Sequence, residues 1–275
     1  MKGYIFTMRK IGIRYYDTLL TEESFRDMHE GGMTATELSL VHEPENLDFK
    51  KVRELADHYE IELWSCHLPF RNCWSVVQKE NDNQKKVIDL QKMLIERATD
   101  IGVDKFVMHP GSPIENASRE ESKKRSMETL STLADFAASR GARIAVENMI
   151  TTCLGNTADE LLELVSANEK LRICFDVNHL LLDKHEEFAE KVRDKLITMH
   201  ISDYDFIQER HWFPGYGKID WVSLYKKICE IGYEGAWIYE LSPGVEKEYL
   251  PRALTVRDFY NNAMEIFSGK QPRGI

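Results

Sequence analysis

Apolar and β-branched residues gather in seven short runs, at 35–40, 61–67, 105–109, 143–147, 171–176, 196–200 and 236–240, each of strand length. Between and after them lie longer stretches in which apolar positions return every three to four residues, the period of a helix. These are 49–60, 84–102, 118–141, 157–168, 185–195, 220–233 and 256–269, and residues 21–30 supply one more near the start. Ser118 followed by Glu121 reads as a capping box, Asn156 or Thr157 and Asp220 as further N-caps, and Gly102, Gly141 and Gly232 as stops. One more strand is needed ahead of the first helix, and residues 3–8 and 10–16 qualify equally. Strict strand-then-helix alternation over eight units predicts the α/β class, a single (β/α)₈ TIM barrel occupying residues 1–275. No Gly-x-Gly-x-x-Gly turn follows any run, which argues against a dinucleotide-binding sheet.

The seven runs end at or near Glu37, His67, His109, Glu147, Asp176, His200 and Glu240. A parallel barrel carries all its strand ends to one mouth, so this recurrence predicts a ring of imidazoles and carboxylates there. A lone strand-end carboxylate is usually a cap or a solvated charge; so many in phase are not. Glu147, Asp176, Glu240 and His200 together offer three oxygen ligands and one nitrogen, a set suited to Mn²⁺, Mg²⁺ or Co²⁺ and compatible with Zn²⁺. His67, His109, His179 and His211 add nitrogen donors nearby, whereas His58 and His185 fall in or beside helices and are assigned to the surface.

Composition narrows the class without naming it. With 43% hydrophobic and 30% charged residues the chain has the means to build a core, and no stretch approaches a membrane span. A cytoplasmic location is the expectation. The five cysteines form no Cys-x-x-Cys pair and read as free thiols, with Cys174 packed inside the barrel one layer below Asp176. The net charge of −10 weighs against nucleic acid or a membrane surface as partner. Residues 203–218 form the longest loop and hold aromatics and histidine, which marks it as functional.

The segments at 107–113, 145–149, 174–179, 199–205, 211–221 and 238–241 (VMHPGSP, AVENM, CFDVNH, MHISDYD, HWFPGYGKIDW and IYEL) resemble the xylose-isomerase-like barrel superfamily in sequence and in order. That superfamily contains sugar and sugar-phosphate isomerases and epimerases, and also endonuclease IV type nucleases that cut abasic DNA. For the ketose 3-epimerase branch, the resemblance implies one divalent ion held by Glu147, Asp176, His200 and Glu240. The two glutamates then act as the acid/base pair, and His179 contacts a substrate oxygen. For the nuclease branch it implies three zinc ions: His67 and His109 at the first, Glu147 bridging, Asp176, His200 and Glu240 at the second, and His179, His211 and an aspartate at the third. Here the aspartate position is Glu209, and residues 41–48 carry Glu43, Glu45 and Asp48 where a DNA-facing loop needs basic residues. The expected partner is therefore a small carbohydrate rather than nucleic acid, with other copies of the chain as the second candidate. Glu37, Arg71, Trp74 and Lys218 are candidate substrate contacts, and Arg210 is a further one.

Overall fold

The computed structural model describes residues 9–70, 76–77 and 81–275; Arg71 and Trp74 lie outside this set. Eight parallel strands close on themselves in chain order. They are β1 (Ile11–Tyr16), β2 (Ala35–Ser39), β3 (Glu62–His67), β4 (Lys105–Met108), β5 (Arg143–Glu147), β6 (Arg172–Asp176), β7 (Leu196–Ile201) and β8 (Trp237–Tyr239). β1 pairs with β8 through Ile11–Trp237 and Ile13–Tyr239 and shuts the ring. Of the two N-terminal candidates it is residues 10–16 that form β1; residues 3–8 fall outside the described set.

Eight α-helices alternate with the strands: α1 (Glu22–Gly31), α2 (Phe49–His58), α3 (Asn81–Asp100), α4 (Arg119–Ser139), α5 (Ala158–Val165), α6 (His185–Val192), α7 (Trp221–Glu230) and α8 (Val256–Phe267). Their starts follow the sequence signals. The side chains of Ser118, Thr157 and Asp220 accept hydrogen bonds from the amides of Glu121, Glu160 and Ser223. Gly102, Gly141 and Gly232, just beyond α3, α4 and α7, have φ of 91°, 79° and 73°, a region a Cβ disfavours. No helix among the described residues is long and apolar enough to cross a membrane.

Inside the barrel the floor is apolar. Ala35, Trp64, Ala236 and Ile238 pack in one layer, and Val107, Ala145 and Cys174 in another, all buried. Cys174 thus lies where the strand alternation places it. Gly12 belongs to the same floor: a Cβ there would stand 2.6 Å from Ile238 Cδ1 and 2.7 Å from the Ala35 carbonyl oxygen, so only glycine lets β1 approach its neighbours. Register shifts between β2 and β3 and between β6 and β7 act as bulges that re-aim the residues above them. After the first, Ser65 and His67 both turn inward beside Glu37 and Ser39.

One helix anchor carries a pH-dependent expectation. Asp258 accepts from the Thr255 amide and hydroxyl at the start of α8 and takes both arms of Arg252. The Arg252 pair, with the Thr255 bonds, outweighs burial and holds its carboxyl at about 2, below the ordinary 3.8. Asp258→Ala should lower unfolding free energy by ~1–2 kcal/mol near neutral pH, the size of a lost cap. Because the folded value is depressed, that contribution is present above about pH 4 and fades as pH falls through 2. Denaturant midpoints of the variant and parent should therefore converge as pH falls below about 2.

Candidate metal centre at the barrel mouth

Alternation along each strand decides which residues line the mouth. Glu147 sits two positions above Ala145, Asp176 two above Cys174, and Glu240 two above Ile238, so each carboxylate stands on an apolar layer. Glu37, His67, Glu147, Asp176 and His200 are buried, with no measurable exposure, and Glu240 is 5% exposed. One ligand atom from each of Glu147, Asp176, His200 and Glu240 lies within 4.8 Å of the others. The four residues that the sequence singled out as ligands thus converge.

Two of their oxygens are left over. Asp176 Oδ1 accepts from the Asn178 amide at 2.7 Å, while Asp176 Oδ2 is buried with no hydrogen-bond partner. One arm of Arg14 engages Glu240 Oε1, while Glu240 Oε2 is buried and equally unpartnered. A buried carboxylate oxygen without a donor is costly, and a cation between these atoms removes the cost. The donor set therefore fits a divalent ion.

The histidines around Glu147 are held in defined orientations. His200 Nδ1 lies 2.8 Å from Glu147 Oε1, and its Nε2 lies 3.0 Å from Glu37 Oε2, which also takes the Ser65 hydroxyl at 2.7 Å. A carboxylate on the outer nitrogen of an imidazole orients the inner nitrogen for ligation. Glu37, expected at the substrate, thus stands behind His200, fully buried. His67 faces Glu147 Oε2 through Nε2 at 3.2 Å, its Nδ1 bonded to the Leu68 carbonyl, and His109 Nε2 reaches the same oxygen at 2.9 Å. Phe70 stacks on His109 with ring centroids 4.0 Å apart.

A third group gathers on the other flank. His179 Nδ1 lies 2.9 Å from the Asn148 carbonyl oxygen, its Nε2 is 3.6 Å from Glu209 Oε1, and His211 Nε2 is 2.6 Å from that oxygen. Asn148 also bridges to the Asp176 backbone in both directions, at 2.8 Å each, splinting the ends of β5 and β6.

These surroundings set the charge. Burial raises the Glu147 carboxyl, but His200 and His109 outweigh it and hold it well below the usual range. Burial likewise raises Glu240, and Arg14, His211 and His200 bring it far down. Asp176 goes the other way, pushed well up by burial with Glu240 and Glu147 beside it. Burial works against a charged His179, yet Asp176 and Glu209 lift its imidazole well above 6.5.

Other expected positions lie elsewhere. Lys218 is exposed and lines a separate cleft of about 380 Å³ with Leu182, His185 and Phe206. Arg210 is tied to Asp205 and lies over the Trp212 ring. His185, assigned to the surface, is buried, because its Nε2 satisfies the Val177 carbonyl at 2.7 Å where β6 turns into α6. Arg14 was missed: it sits on β1, whose position the sequence left open, and nothing local marks which face of a strand turns inward. Among the described residues the cysteines are free, and Cys73 lies outside them.

The profile of the xylose isomerase-like TIM barrel family matches residues 25–256. The chain belongs to this family. Among its relatives, an uncharacterized protein of Methanocaldococcus jannaschii is 28% identical over 237 residues, 82% of this chain and 78% of that one. A probable endonuclease 4 of Staphylococcus carnosus is 28% identical over 200 residues, 66% of each. Among solved structures, a D-tagatose 3-epimerase-like protein superposes with a TM-score of 0.74 at 26% identity, covering 83% of this chain and 90% of the other.

Proposed function

We propose that this member of the family is a divalent-metal-dependent isomerase or epimerase of a sugar or sugar phosphate, with Glu147 and Glu240 as its acid/base pair. The observation that carries this reading is the convergence of two glutamates, one aspartate and one histidine on a single buried point with two oxygens unpartnered. The likeness to a D-tagatose 3-epimerase-like protein supports it. A divalent ion held by Glu147, Asp176, His200 and Glu240 supplies the Lewis acid that lowers the cost of negative charge on a substrate carbonyl oxygen. The protein's own groups do the proton work. Glu147 and Glu240, both depressed and hence ionised near neutral pH, stand ready to accept a proton from the carbon beside that carbonyl. One carboxylate takes it, and the other, after picking up a proton from solvent, returns one. His179, anchored on Asn148, is placed to donate to a substrate oxygen, and Phe70 offers an apolar wall.

A second reading, a trinuclear phosphodiesterase acting on abasic DNA, has its own observation. His67, His109 and Glu147, and separately His179, Glu209 and His211, each present ligand atoms within 4.8 Å of one another. Against it stand Glu43, Glu45 and Asp48, which are exposed on the loop after β2 and repel a phosphate backbone. Elemental analysis after dialysis, run beside incision of an abasic duplex with Zn²⁺, separates the two. The expected result is one tightly held ion per chain and no incision. Three ions and salt-sensitive incision that disappears in Glu147→Gln would reverse the ranking.

A further inference from the structure

Gly12, Arg14 and Tyr16 share the inward face of β1, and Arg14 places a guanidinium at the mouth with only 11% of its side chain exposed. One arm holds Glu240 Oε1, and the other donates to the Tyr16 hydroxyl at 2.9 Å. The guanidinium carbon lies 4.9 Å from the centre of the Tyr16 ring, and that ring meets His42 edge-on at 4.9 Å. A planar fork so supported restricts where its carboxylate partner can turn. With Oε1 taken, Glu240 presents only Oε2 to the cluster, 3.9 Å from His200 Nδ1 and 3.4 Å from His211 Nδ1. Arg14 also offsets one of the charges of Glu37, Glu147 and Glu240, so it competes electrostatically with any cation seated among them.

We propose that Arg14 is a positioning residue that clamps Glu240 as a one-oxygen ligand of fixed aim, at the expense of metal affinity. This rests on the metal-dependent reading above. With Oε1 held by Arg14, Glu240 would offer a bound ion Oε2 alone rather than both oxygens. Without the clamp the carboxylate is free to turn and chelate, and the neighbouring positive charge is gone.

The test uses metal alone. Mn²⁺ affinity is measured by calorimetry and the Co²⁺ form by visible absorption, in the parent, Arg14→Met and Arg14→Lys, with thermal melts to confirm folding. Arg14→Met should bind Mn²⁺ at least about tenfold more tightly, as expected when a cation leaves a neighbouring site. Its Co²⁺ bands should weaken as a further oxygen joins the ion. Arg14→Lys keeps the charge and loses the fork, so its Co²⁺ spectrum should shift in the same direction while Mn²⁺ affinity stays within about threefold of the parent. A purely structural role would weaken binding in both variants, and that result, or unchanged spectra, overturns the inference alone. Should Arg14→Met fail to fold, an unshifted spectrum in Arg14→Lys still overturns it. A parent that binds no Mn²⁺ overturns the metal reading and this inference with it.

Discussion

Glu147→Gln and Glu240→Gln should each lower turnover of a sugar substrate by about 10²- to 10⁴-fold, the usual worth of a general acid or base. The amide keeps the shape of the side chain and an oxygen for the ion, so Mn²⁺ binding should survive within about tenfold while proton transfer does not. The two variants should differ in their side effects. Glu147 faces His67, His109 and His200, and its replacement by glutamine would leave a single oxygen facing three imidazoles. Glu240 contacts Arg14 through one oxygen and leaves the other without a hydrogen bond, so the change to glutamine there breaks fewer of them. Asp176→Ala is the control: it removes an oxygen ligand and should abolish tight metal binding with little loss of fold. Steady-state rates paired with calorimetry on the same preparations distinguish loss of chemistry from loss of metal.

The second large effect lies in the loop after β7. Asp203 is fully buried, and its carboxylate takes four donors: the amides of Tyr204 at 2.9 Å, Ile219 at 3.2 Å and Gly215 at 2.9 Å, and the Trp221 indole at 3.0 Å. Its backbone pairs both ways with Trp212, and Gly217 approaches so closely that a Cβ would lie 2.2 Å from Oδ1. This knot ties residues 203–218 back onto the start of α7 and carries Glu209 and His211 to the mouth. Asp203→Ala strands these donors inside the protein and should cost about 3–5 kcal/mol, the range for breaking a buried charged network. The checks are a drop in melting temperature and increased proteolysis within the loop. Gly217→Ala should act through the same knot in the same direction.

Much of the barrel could be read directly from the sequence, because period-two and period-3.6 patterns are local and alternate without a break. The strand-end residues were legible for the same reason. A parallel barrel converts position along a strand into position at the mouth, and Glu147, Asp176, His200 and Glu240 needed no further information to be placed together. What stayed hidden depends on register between strands. Arg14 occupies an inward position that looks, in sequence, like any polar residue in a strand, and Glu37, marked as a strand end, was expected at the substrate rather than behind His200. Only the pairing of β1 with β8 brings Arg14 to Glu240, only the bulge between β2 and β3 sets Ser65 beside Glu37, and only closure of the barrel brings His200 on β7 to it. His185 misled because a histidine at the start of a helix looks solvated, whereas here it satisfies a carbonyl of the preceding turn.

The central claim, proton exchange at a carbon beside a carbonyl under the control of Glu147 and Glu240, is tested most directly by NMR of candidate substrates turned over in D₂O. Ketohexoses, ketopentoses and their phosphates, incubated with the Mn²⁺-loaded protein, should yield a product labelled with deuterium at the carbon inverted or isomerised, and both glutamine variants should lose it. Conversion of a sugar at an undiminished rate by Glu240→Gln would contradict the account, because that side chain can still offer an oxygen to the ion but cannot take the proton.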